Sequence, residues 1–234
     1  MNDPQRIRYR FDLPDGSQKS LDFVFGAADF RLANRAPADP PFWTELGFNQ
    51  CANCPLSAAD HRHCPAALQM ATALEPLKAL ASFDTVGVTV VQAERTIYAQ
   101  TTAQQAMCSV LGLIMATAGC PWTDRLRPMA RFHLPFASES ETVYRSVCMY
   151  LLARELVGAN DAPGFAALEE LYKNLHVVNR DMSRRLGGHP NRSGAQCHGI
   201  ARFLYDFAAR RSRELARGTR AVIRRLASGN NRAI

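Results

Sequence analysis

In RIRYRFDLPDGSQKSLDFVF (6–25) apolar and polar positions alternate on both sides of Asp15-Gly16. A period of two puts every second side chain on one face of a strand, and glycine supplies the positive φ of a tight turn. The stretch therefore predicts a β-hairpin. ANRAPADPPF (33–42) sets three prolines among small and polar residues with no period, which predicts a linker. The chain so divides into a hairpin and linker over 1–40 and a main body over 41–234.

Helical spacing dominates the body. PAALQMATALEPLKALA (65–81) opens on proline, which suits a first helical position whose N–H would have no partner, and Pro76 bends or splits it. TVGVTVVQAERTIYAQ (85–100) has the β-branched density of one or two strands. Further helices are predicted over 101–119, capped by Thr101 or Thr102 and stopped at Gly119, over 140–158, capped by Ser138 or Ser140 and stopped at Gly158, and over 165–188. Residues 193–228 close the chain as one long or broken helix. The predicted fold class is mainly α within α+β: an N-terminal β-hairpin, then a helical body with one or two further strands.

At 234 residues and 47% hydrophobic content the chain can bury a core without cross-links. The longest apolar run, AMCSVLGLIMATAG (106–119), is too short and too interrupted to span a bilayer, and no charged-then-apolar leader precedes the hairpin. The expectation is a soluble, cytoplasmic protein with no transmembrane segment. In that setting seven cysteines, an odd number, read as thiols or metal ligands rather than disulfides.

QCANCPLSAADHRHC (50–64) concentrates those cysteines. Cys51-x2-Cys54 lets two sulfurs converge across a tight turn, and Cys64 ten residues on is ordinary spacing for a structural zinc site. Cys64 also precedes the helix starting at Pro65, where the positive end of the helix dipole favours a thiolate. Two candidates complete the ligand set. Cys120 shares the Cys-Pro step of Cys54 and Cys64 and comes first; His61 is the local alternative, while His63 is adjacent to Cys64 and poorly placed to point the same way. Four cysteines make a closed, structural zinc site, three plus water an open one, and an iron–sulfur cluster is the less favoured cofactor. Cys108, Cys148 and Cys197 lie in apolar helical patterns and read as core.

A second group lies on GCPWTDRLRPMARFHLPFASESETVYR (119–145), which joins two helices. Glu141 and Arg145 share a helix face and can pair. His133, among Phe132, Leu134, Pro135 and Phe136, reads either as a buried histidine bonded to backbone or carboxylate, or as the general base of a site with Arg131, Glu139 or Glu141, and Glu94 or Arg95. That second reading makes the protein an enzyme with its catalytic residues on the 131–141 crossover. No phosphate-cradling glycine loop, G-x-S-x-G or H-E-x-x-H is present to name a reaction.

Together, QCANCPL, HCPAA, VQAERTIYA, AGCPWTDRLRPMARFHLPF and the Glu141-Thr142 pair resemble an uncharacterised bacterial family of helical proteins that begins with a β-hairpin. The resemblance covers most of the chain and implies no activity. It also implies an Asp-x-Asn-x-Asn pattern before the last helix, where this chain has His189, Pro190, Asn191, Arg192 and Ser193.

The charge is confined to one end. Residues 210–232 hold eight arginines against Glu214 alone, a net +7 that equals the charge of the whole chain. On a helical wheel Arg210, Arg211, Arg213, Arg217, Arg220, Arg224 and Arg225 oppose Leu215, Val222, Ile223 and Leu226, an amphipathic basic helix over 210–228. It can dock by its apolar stripe, or contact nucleic acid or another anionic partner through its arginines. The leading expectation is a helical protein organised around structural zinc; the alternatives are an enzyme on the crossover and a nucleic-acid-binding accessory protein acting through the tail.

Overall fold

The computed structural model of the protein describes residues 4–78, 80–158 and 165–187. The predicted last helix with its arginines, Cys197 and the 189–193 stretch lie outside the described residues.

The hairpin forms as its alternation demands, with β1 (Gln5–Asp12) and β2 (Gln18–Phe25) joined by a turn in which Gly16 has φ 79°. The 85–102 stretch gives two strands, β3 (Thr85–Val91) and β4 (Thr96–Thr102). All four join one antiparallel sheet in the order β2-β1-β3-β4, so the hairpin is half of the sheet. Register puts Tyr9 opposite Leu21 on one side and Val90 on the other. One face is therefore apolar: Ile7, Tyr9 and Phe11, Leu21, Phe23 and Phe25, and Val86, Val88 and Val90 are all buried. Arg8, Arg10 and Asp22 occupy the opposite, exposed face. The linker runs along the outer edge of β2, where the Asn34 carboxamide accepts from the Val24 N–H (2.8 Å) and donates to the Asp22 carbonyl (2.6 Å). That pairing blunts an edge strand that would otherwise be free to recruit another chain.

Helices cover the apolar face. α1 (Pro65–Leu74) carries Pro65 at its first position and passes at Pro76 into a 3₁₀ turn, Glu75–Leu77, the predicted split. α2 (Ala103–Thr117) is capped by Thr102, whose hydroxyl accepts from the Gln105 N–H, and buries Ala106, Val110 and Ile114. Gly119, at φ 90°, then turns the chain; a side chain there would meet Arg31. α3 (Arg127–Arg131) is a short helix on the crossover, and α4 (Glu139–Leu156) begins at Ser138 with a full capping box closed by Glu141. α5 (Ala166–Gly187) packs Leu168, Leu171 and Leu175 against Val143 and Val147 of α4, and its second half sends Val178, Met182 and Leu186 into the main core.

Cys148 departs from expectation and is exposed. α4 has apolar residues all round: it buries Thr142, Val143, Ser146 and Val147 and turns Tyr144, Cys148, Leu152 and Leu156 outward, so spacing alone could not say which face was core. No helix among the described residues is long and apolar enough to cross a membrane.

The capping geometry separates two adjacent serines. Ser138→Ala should cost about 1 kcal/mol by urea denaturation, since it removes the acceptor for the Glu141 N–H, whereas Ser140→Ala, inside the first turn, should cost less than about half of that.

Candidate metal centre

Four cysteines from three parts of the chain pack in or against the main core. Cys51 and Cys54 lie on one tight turn, the Cys54 N–H donating to the Cys51 carbonyl at 3.0 Å. Cys64 is buried and forms the N-cap of α1, with the Leu68 N–H closing the first helical bond onto its carbonyl at 3.0 Å. Cys120 follows the Gly119 turn after α2 and packs, half-buried, against the same cluster as Cys51, Cys54 and Cys64.

Each segment is held by polar contacts away from the sulfurs. The 43–46 stretch runs beside 62–64: the Leu46 N–H donates to the Arg62 carbonyl (2.9 Å), the Cys64 N–H to the Thr44 carbonyl (2.8 Å), and Glu45 pairs with His63 as an isolated bridge. His63 Nδ1 meets the Thr44 hydroxyl at 2.8 Å, so this ring braces the pairing. On the 51–54 turn, the Ala52 N–H donates to the Asp181 carboxylate (2.9 Å) and the Asn53 carboxamide donates to the Asn174 side chain (2.9 Å), both on α5. The Trp122 indole N–H donates to the Asn53 carbonyl at 2.7 Å and so ties the Cys120 segment to the same turn.

Burial pushes the Cys51 thiol up to about 12, and Cys64, Cys120, Asp181 and Cys54 add to that rise because each would place a like charge beside a thiolate. Burial also raises Cys64, but the amides opening α1 at Ala67 and Ala66 and the Arg185 guanidinium oppose it. Arg185 is itself almost fully buried, at 1% exposure, and donates to the carbonyls of Trp43 (2.8 Å), Glu45 and Leu46 (3.0 Å). Asp181, one turn earlier, is buried and paired with Arg180 (2.8 Å) and Arg184 (3.3 Å). Among the described residues no group of three or more His, Cys, Asp or Glu side chains is arranged to hold an ion.

His61 is exposed on the 57–61 turn, its N–H donating to the Ser57 carbonyl at 2.9 Å. The residues missed in the sequence are Asp181 and Arg185. Their signal was present, because Val178, Asp181, Met182 and Arg185 recur at helical spacing and so place two charges on the apolar stripe of α5. Read one by one, the arginines of the last turn look like ordinary favourable charge at a helix C-terminus.

The candidate residues of the crossover make contacts of several kinds. His133 is buried, its Nε2 hydrogen-bonded to the Tyr9 hydroxyl on the buried face of the sheet. Burial, and secondarily Arg145, depress its pKa to about 3, while burial raises that of Tyr9; the neutral ring and protonated phenol pair, the phenol donating in the Nδ1–H tautomer. Arg145 donates to the carbonyls of Met129 and Phe132, both at 2.6 Å, which closes the end of α3 onto α4. Glu141 is spent on the cap of α4, and Glu139 is exposed in its first turn. Arg131 stacks over Phe30 at 5.9 Å, and Glu94 and Arg95 lie exposed on the β3–β4 turn. The one contact His133 makes among these predicted partners and the sheet is thus to Tyr9, which the sequence did not single out.

A neutral buried histidine makes stability depend on pH. Because its folded-state pKa lies below the usual 6.5, protonation favours the unfolded chain; the contribution is complete above pH 6.5 and is lost as pH falls towards 3. Urea midpoints measured between pH 7 and 4 should fall for the wild-type chain and fall less steeply for His133→Gln, which is uncharged throughout. Parallel profiles would contradict the assignment.

No curated protein and no solved structure matches the chain. A family model does match, over residues 7–201, a span that takes in nearly all of the sheet, Cys51, Cys54, Cys64, Cys120 and α5. The chain belongs to the family described as Domain of unknown function (DUF6901).

Proposed function

We propose that Cys51, Cys54, Cys64 and Cys120 hold one zinc ion as thiolates, and that the ion is structural. The observation that supports this reading is that Cys51 takes electrostatic influence from Cys64, Cys120 and Cys54, which come from three segments of the chain. Cysteines are common as small buried residues, but these four occupy a tight turn, a helix N-cap and a crossover that all pack on one core. Zinc takes four such ligands tetrahedrally at about 2.3 Å, which puts the sulfurs about 3.7 Å from one another. Binding would bring the thiols to that spacing, since the ion displaces their protons and supplies the attraction that draws them in. With all four positions filled by protein the site has no room for substrate, and its effect would be to join the 51–64 segment to the crossover beside α5.

The reading is tested on chain purified without added metal. Elemental analysis should find about one zinc per chain, and chelation should lower the melting temperature, because ligand binding to the folded state alone adds to stability. Cys51→Ser and Cys120→Ser should each lose metal and melt earlier, while Cys108→Ser should keep its metal. Iron with labile sulfide would assign a cluster to the same thiols, and a stable chain with no metal would end the proposal.

A further inference from the structure

We propose that an exposed apolar row on α4 is the seat of the chain's own C-terminal segment, which docks there by Ile200, Phe203, Leu204 and Phe207. Tyr144, Cys148, Leu152 and Leu156 follow one another at intervals of four, so they form one row along the helix, about 18 Å long. All are exposed, Tyr144 at 65%, Leu152 at 61% and Leu156 at 78%. Phe132, also exposed, lies on the stretch that Arg145 fastens to the start of the same helix. α5 leaves the row open, because it packs on Val143 and Val147, on a different side of α4. Large apolar side chains lined up in water mark a contact surface.

The chain supplies the occupant itself. It continues past Gly187 for 47 residues, 188–234, and there Ile200, Phe203, Leu204 and Phe207 recur at i, i+3, i+4 and i+7, with Leu215 two turns further on. A stripe of that kind needs apolar cover as much as the α4 row does. As a helix it would span about 22 Å from Ile200 to Leu215, enough to match the row. The connection also reaches. Leu175, which packs on Val143 and Val147, lies twelve residues before Gly187, so α5 ends about 18 Å beyond that contact. Residues 188–199 can extend to about 40 Å, and they include Gly188, Pro190, Ser193 and Gly194, which suit a change of direction. Charge is complementary as well: Glu155 is exposed beside Leu156, and the segment brings the arginines of 210–232. A tethered segment within reach has an effective concentration on the order of millimolar, which favours it over a second copy of the chain.

The test reads Cys148, the native thiol in the row, by maleimide labelling of the full chain and mass spectrometry of the peptide that carries it. Phe203→Asp combined with Phe207→Asp should release the segment and speed labelling of Cys148 by about tenfold or more, because a docked segment shields the thiol except when it opens locally. Leu152→Asp, at an exposed position of α4, should speed it likewise, and it decides the matter if the double variant does not fold. Equal rates in wild type and in the folded variants overturn the inference. Protection that weakens on dilution, with a dimer in sedimentation, overturns it too, since a second copy then covers the row.

Discussion

A guanidinium buried to 1% exposure is the constraint on which the cysteine-bearing half of the molecule depends. Arg185 can sit there only because the carbonyls of Trp43, Glu45 and Leu46 point at it, and that requirement fixes the 43–46 stretch against the last turn of α5. The same stretch receives the Cys64 N–H and so sets where α1 begins. One turn earlier Asp181 holds the 51–54 turn by its backbone, and Trp122 fastens the crossover to that turn in its own right. α5 thus reads as a clamp whose polar residues face inward, each meeting backbone groups that would otherwise lack partners.

The sheet supplies the other half of the frame. Its buried face is a continuous apolar layer three strands wide, and burial of that order is what stabilises a domain of this size. The single polar pair within it, Tyr9 with His133, lets the crossover close over the sheet without an unsatisfied hydroxyl. Arg145 completes that closure from α4 through two carbonyls. The residues that looked like a catalytic group on paper are consequently distributed among a core hydrogen bond, a helix cap, a stacking contact and an exposed turn. Each of those tasks needs a polar side chain on a connection, which is why spacing along the chain suggested a site.

Local signals were legible where a short-range rule acts alone. Gly16 and the alternation around it specify the hairpin, Pro65 and Pro76 mark the start and split of α1, and Ser138 with Glu141 spells a capping box. The expectation that Cys120 joins Cys54 and Cys64 rested only on the repeated Cys-Pro step, since nothing local links positions so far apart. What the sequence did not yield was long-range partnership: the pairing of β1 with β3, the phenol waiting for His133, and the inward turn of Asp181 and Arg185. Cys148 failed for the opposite reason, because a helix apolar on every side carries no period from which to choose a face.

The central claim is that four thiolates close around one ion, and X-ray absorption at the zinc edge of the purified full-length chain examines it most directly. The account predicts a first shell of four sulfurs at about 2.3 Å with no nitrogen or oxygen neighbour. A shell with one or more nitrogen or oxygen ligands would contradict it, and would move the missing ligand from Cys120 to His61 or to water.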